Sequence, residues 1–149
     1  MEDQPKLPEP SPKIAPLDVG LLVLRVGVGL SFVIFHGWPK MKEGPVAWEQ
    51  LGSNMALIGI TFLPWVWGFL AAFAEFVGGI MLAVGLFVRP FAFMLAFVML
   101  IAMLRHYNAG QKYTYPLEMG FVFLALLIGG GGKLVLSNVI GPLKGRCWT

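Results

Sequence analysis

The sequence predicts an all-α integral membrane protein: an antiparallel four-helix bundle with a short interfacial helix between the first and second spans. Three observations carry this reading. Hydrophobic residues make up 57% of the 149-residue chain and charged residues only 13%, with a mean hydropathy of +0.75, outside the usual range of soluble domains. Four apolar segments, residues 17–35, 64–86, 91–104 and 115–129, are placed to cross roughly 30 Å of hydrocarbon at about 1.5 Å per residue. Breakers, interfacial aromatics and cations separate them, as in Gly37-Trp38-Pro39-Lys40, Pro64-Trp65 and Arg89-Pro90.

Residues 1–16 form a tail with Pro5, Pro8, Pro10, Pro12 and Pro16, too poor in backbone donors for helix or sheet. It is expected to be extended and to gain order only on a partner surface. Residues 17–136 form the membrane domain, and residues 137–149 a C-terminal tail. The first apolar run is long and lacks a small-residue cleavage site, so it reads as a retained helix rather than a signal peptide.

In the first helix Arg25, Gly29, Phe32 and His36 recur on one face, which sets an arginine and a histidine about 16 Å apart along the bundle interior. Between the first and second spans, Trp48, Leu51 and Met55 share one side of a short helix suited to the interface. The second helix carries Glu75 in mid-span, on a stripe with Gly68, Ala71 and Gly79. An ionised carboxylate at that depth costs about a few kcal/mol or more, so it should face other helices, take a partner or hold its proton, and Arg25 is the expected partner. Arg89-Pro90 is read as the turn into the third helix, where Ala92, Ala96, Met99, Met103 and His106 share a stripe beside Arg105. The fourth helix opens with Tyr115-Pro116, and Glu118, Val122, Ala125 and Gly129 lie on its expected inner face.

With a single cysteine, Cys147, the chain has no internal disulfide or dithiol relay, and no residues show local metal-ligand spacing. The net charge of +3 reflects membrane-flanking cations, so nucleic acid is not an expected partner. Lys6, Lys13, Arg89, Lys133, Lys144 and Arg146 stand on one side of the membrane against Lys40, Lys42, Arg105 and Lys112 on the other, which favours cytoplasmic termini.

This threading brings His36, Lys40, Arg105, His106, Tyr115 and Glu118 to the membrane face away from the termini, with Glu75 and Arg25 deeper. Titratable groups from several helices at one end of an apolar bundle compose a proton-relay or quinone-head site. His36 and Glu118 are the candidate proton exchangers, and Arg25, Lys40, Glu75, Arg105, His106 and Tyr115 the candidate ligand-binding residues. The competing reading is that helix ends merely collect such residues near headgroups.

The run from Leu21-Leu22-Val23-Leu24-Arg25 through Phe35-His36-Gly37-Trp38-Pro39-Lys40, then Ala74-Glu75-Phe76-Val77-Gly78-Gly79 and Val84-Gly85-Leu86-Phe87-Val88-Arg89-Pro90, resembles the DoxX family of small four-helix membrane proteins. Tyr115-Pro116-Leu117-Glu118 and the Gly-rich end of the fourth helix are similar too, so the resemblance covers residues 17–136. It implies a bundle in the cytoplasmic membrane of a prokaryote, with Arg25, His36, Lys40, Glu75 and Glu118 at family polar positions. Some relatives are subunits of a thiosulfate:quinone oxidoreductase and others associate with redox-defence enzymes. Two functions are therefore expected: a membrane subunit of a quinone-linked redox complex, with no cofactor held by the chain itself but a quinone as ligand, or a non-catalytic accessory subunit of a larger respiratory or photosynthetic assembly. In either case the partners are the lipid bilayer and other membrane subunits, engaged through residues 1–16.

Overall fold

The computed structural model describes residues 14–138, and among these every regular element is helical. Most of the proline-rich tail and of the C-terminal tail lie outside the described residues. Helix α1 (Pro16–Ser31) runs through a π-helical turn (Phe32–Gly37) into α2 (Trp38–Glu43), giving one rod of 28 residues, about 42 Å long. Helix α3 (Pro45–Gly52) and a 3₁₀ turn (Ser53–Ile58) lead to α4 (Pro64–Val84), α5 (Val88–Asn108) and α6 (Thr114–Gly129), and a last 3₁₀ turn spans Leu136–Asn138. Among the described residues three helices are long and apolar enough to cross a membrane: the Pro16–Glu43 rod, α4 and α5. Helix α6 is apolar but shorter, 16 residues or about 24 Å.

The first helix does not end at Gly37-Trp38-Pro39, as the breakers suggested, but at Gly44, whose φ of +81° only glycine adopts without strain. The π-helical turn explains the difference. Pro39 lacks the N–H that would bond the Phe35 carbonyl, and its ring crowds that carbonyl. In the wide turn just before it, Trp38 N–H reaches back five residues to Val33 instead. The helix therefore continues, and carries Lys40 with it. The α4–α5 connection is likewise displaced: Gly85 (φ +76°) stops α4, its N–H and that of Leu86 bonding the Met81 carbonyl, while Arg89-Pro90 lies in the first turn of α5, where proline is tolerated. Helix α5 is longer at both ends than expected.

Small residues let the rod lie against α4. A Cβ on Gly29 would meet the Gly79 carbonyl, one on Gly79 would meet that of Gly29, and one on Gly37 would collide with the Phe76 backbone. Higher up, α3 takes over the same neighbour: Gly52 is seated on the Pro64 carbonyl and Gly68 on that of Trp48. The core fills with Phe32, Leu82, Val88, Ala92, Leu95, Met99, Phe123 and Leu126. The inner face of α6 is thus built from Pro116, Phe123 and Leu126, and the expected face with Glu118, Ala125 and Gly129 turns outward. Bulk decides here. Phe123 fills the gap beside Phe32, ring centroids 4.9 Å apart and edge to face, where small residues would leave a void.

At the end of the bundle near the start of α1, residues 130–137 fold back as a strap. Asp18 accepts hydrogen bonds from the backbone N–H of Ala15 and of Lys133, each 2.9 Å, and Val135 is buried. Arg25, wholly buried, donates to the carbonyls of Leu82 (3.2 Å) and Leu134 (2.6 Å).

Candidate functional site

Glu75 is 1% exposed, and its partner is Lys40, not Arg25. Lys40 Nζ lies 2.6 Å from each carboxylate oxygen, donating to Oε1, while Oε2 is in ionic contact without hydrogen-bond alignment. The close approach of Gly37 to Phe76 brings the rod onto α4 at this level, and Lys40 follows one helical turn later. Arg25 sits 15 residues earlier, about 22 Å along the helix, and is spent on the carbonyls under the bundle.

On the other side of the π-helical turn, His36 meets α6. Its Nε2 and the Tyr115 hydroxyl lie 2.7 Å apart in a hydrogen bond, and the two rings stack with centroids 5.6 Å apart. Phe32 supports the imidazole from below, at 5.0 Å between centroids. A π-helical turn widens one turn of the helix and changes which residues face which neighbour, a device frequent at functional sites. Here it presents His36 to α6 and Gly37 to α4 in consecutive positions.

These groups border a cavity of about 370 Å³ enclosed by the rod, α3 with its 3₁₀ turn, α4, α5 and the start of α6. Its polar lining comes from His36, Lys40, Asn54, Glu75, Arg105, His106 and Tyr115, and its walls are Met, Phe, Leu and Ala side chains. His106 Nδ1 is buried without a hydrogen-bond partner among the described residues. A second space of about 340 Å³ shares His36, Lys40, Leu51, Asn54 and Arg105 with the first and adds Glu43 and Gln50, so it forms a polar vestibule between the end of the rod and α3. Trp48 ties this corner together, its Nε1 donating to the Lys40 carbonyl at 2.8 Å.

Six of the eight site residues expected from the sequence line one cavity: His36, Lys40, Glu75, Arg105, His106 and Tyr115. Arg25 and Glu118 do not; the first lies under the bundle and the second on the outer face of α6. Asn54 is the polar residue that sequence reasoning passed over. Its position one residue before Met55, on a segment expected to lie in the interface, was the available signal. Among the described residues no three His, Cys, Asp or Glu side chains are grouped to hold a metal ion.

A fold of apolar helices around a buried ion pair defines a small helical membrane protein. Residues 20–108 match the DoxX family, and the chain belongs to it. It is 32% identical over 127 residues to a protein of Haemophilus influenzae described only as uncharacterized, across 79% of this chain and 88% of that one. No solved structure matches it.

Proposed function

We propose that this chain is the membrane subunit of a quinone-linked oxidoreductase or redox complex and that the cavity receives the quinone head. The observation that carries this reading is the convergence of the His36–Tyr115 pair, the Lys40–Glu75 ion pair and the unpartnered His106 Nδ1 on one space with apolar walls. A quinone oxygen needs a donor within about 3 Å and a group that can exchange a proton with it. His36 supplies the exchange, and Tyr115 holds its ring. His106 offers the orphaned nitrogen as a second contact, and Lys40 provides positive charge where negative charge develops on the head. When bound, the quinone supplies the electron chemistry, which passes to or from a partner subunit.

In this reading α6 is the fourth span of an antiparallel bundle, its shortness met by local thinning of the bilayer. Helix α3 lies at the interface over the cavity. The lysine and arginine balance favours cytoplasmic termini, which would set the cavity in the extracytoplasmic half, and the family supports the cytoplasmic membrane of a prokaryote as the location. Arg25 and Glu118, which do not line the cavity, have no part in head binding.

One observation favours the accessory reading: Glu118 makes no hydrogen bond or ion pair among the described residues, and it shares the outward face of α6 with the exposed Ala125 and Gly129. An acid and small residues on an outer face suit packing against a further membrane helix. His36→Ala separates the two. Under the redox reading it lowers quinone turnover while the protein still inserts and assembles; unchanged turnover in an intact complex establishes the accessory role.

A further inference from the structure

The cavity has a side that the polar groups do not explain. Helices α4 and α5 are in tight contact near their connection, where Gly78 lies against Phe91 and Leu95, and farther along they part around the cavity. The gap is walled by Leu70, Ala71 and Ala74 from α4 and by Phe93, Phe97 and Ile101 from α5. Two of these side chains also reach the outer surface, Phe93 at 59% and Leu70 at 38% exposure. Both helices are long and apolar enough to span a membrane, so what lies outside the gap is hydrocarbon. The vestibule between the rod and α3 is the contrasting opening, bordered by Glu43, Gln50 and Asn54.

We propose that the ligand enters sideways from the lipid between α4 and α5, and that it carries a long apolar tail which stays in this gap while the head lies against Lys40 and Glu75. The proposal rests on the quinone reading for the head and adds the tail as the part selected by the gap. Ala71 and Ala74 become specificity-determining residues, since their small size keeps the gap open beside the carboxylate. The vestibule then serves water and protons, so apolar and aqueous traffic meet at the ion pair from different directions.

The test uses the full chain in lipid vesicles and two fully substituted benzoquinones with the same ring, one bearing a decyl tail and one a methyl group, with concentrations referred to the membrane. Ala71→Phe should weaken the decyl compound by about tenfold, a change that losing two buried methylenes suffices to produce, and leave the methyl compound unaffected. Phe121→Ala, on the exposed outer face of α6 and outside the cavity, should retain both. Equal losses for the two compounds in Ala71→Phe, or no loss for either, overturn the proposal. Wild-type protein that binds neither compound overturns the quinone reading, and the gap is then decided by labelling. In a Cys147→Ser background, Ala71→Cys should react with a lipid-dissolved maleimide and not with a charged thiosulfonate. The reverse pattern refutes lateral entry.

Discussion

Lys40 Nζ sits 2.6 Å from both carboxylate oxygens of Glu75, so the acid in the middle of α4 is neutralised from a helix that the breakers at Trp38-Pro39 should have ended. Removing one member of a buried pair costs about 3 to 5 kcal/mol, and the lower end applies here because Lys40 keeps 29% exposure. Lys40→Met should therefore lower thermal stability in detergent far more than Glu49→Gln, a change on an exposed side chain. The double variant Lys40→Met with Glu75→Leu should regain most of the loss. A double variant no better than Lys40→Met would show that the two side chains do not act as a pair.

Tyr115→Phe removes a hydroxyl but no ring. The stacking with His36 remains and one hydrogen bond of about 1 kcal/mol is lost. Stability should change little, whereas quinone turnover should fall severalfold, because the imidazole is no longer held by its Nε2. Equal turnover in the two proteins would leave Tyr115 as a packing residue.

Gly52 and Gly68 hold α3 and α4 backbone to backbone. Gly52→Leu should cost at least the 1 to 3 kcal/mol typical of about one overpacked site and should open residues 44–63 to protease. Ser53→Leu, one residue away and exposed, is the control that should change neither.

Arg25→Met leaves the Leu82 and Leu134 carbonyls without their charged donor, a loss of about 3 kcal/mol. Melting should drop while affinity for the quinone head in the surviving folded protein stays unchanged, since Arg25 lies outside the cavity. A selective loss of affinity would place it in the site after all.

If both termini are cytoplasmic, Glu49→Cys, at an exposed position and in a Cys147→Ser background, should be labelled from the extracytoplasmic side. Labelling from the cytoplasm alone would reverse the orientation.

What the sequence disclosed follows physical habit. The stripe Gly68, Ala71, Glu75, Gly79 faces inward because a carboxylate and small residues are both badly placed against lipid, and Ala92, Ala96, Met99, Met103, His106 kept helical register throughout α5. The partner of Glu75 was hidden by a local competition, in which a π-helical turn accommodates Pro39 and lets the helix run on to Lys40. The face of α6 was misjudged because small residues mark a packed face only where backbones come close. Beside Phe32 the space is wide, and Phe123 fills it. The strap at residues 130–137 left no periodic trace, since its ties are main-chain groups captured by Asp18 and Arg25.

Those ties impose an order of events on biosynthesis. Arg25 emerges with the first helix, yet its Leu134 acceptor lies 109 residues further along the chain, and the Lys133 amide that Asp18 accepts comes 115 residues after it. A guanidinium entering an apolar environment without its acceptors is costly. The nascent first helix therefore has reason to remain near the translocon or the headgroups until residues 133 and 134 arrive, so the clasp closes only after α6 has been made.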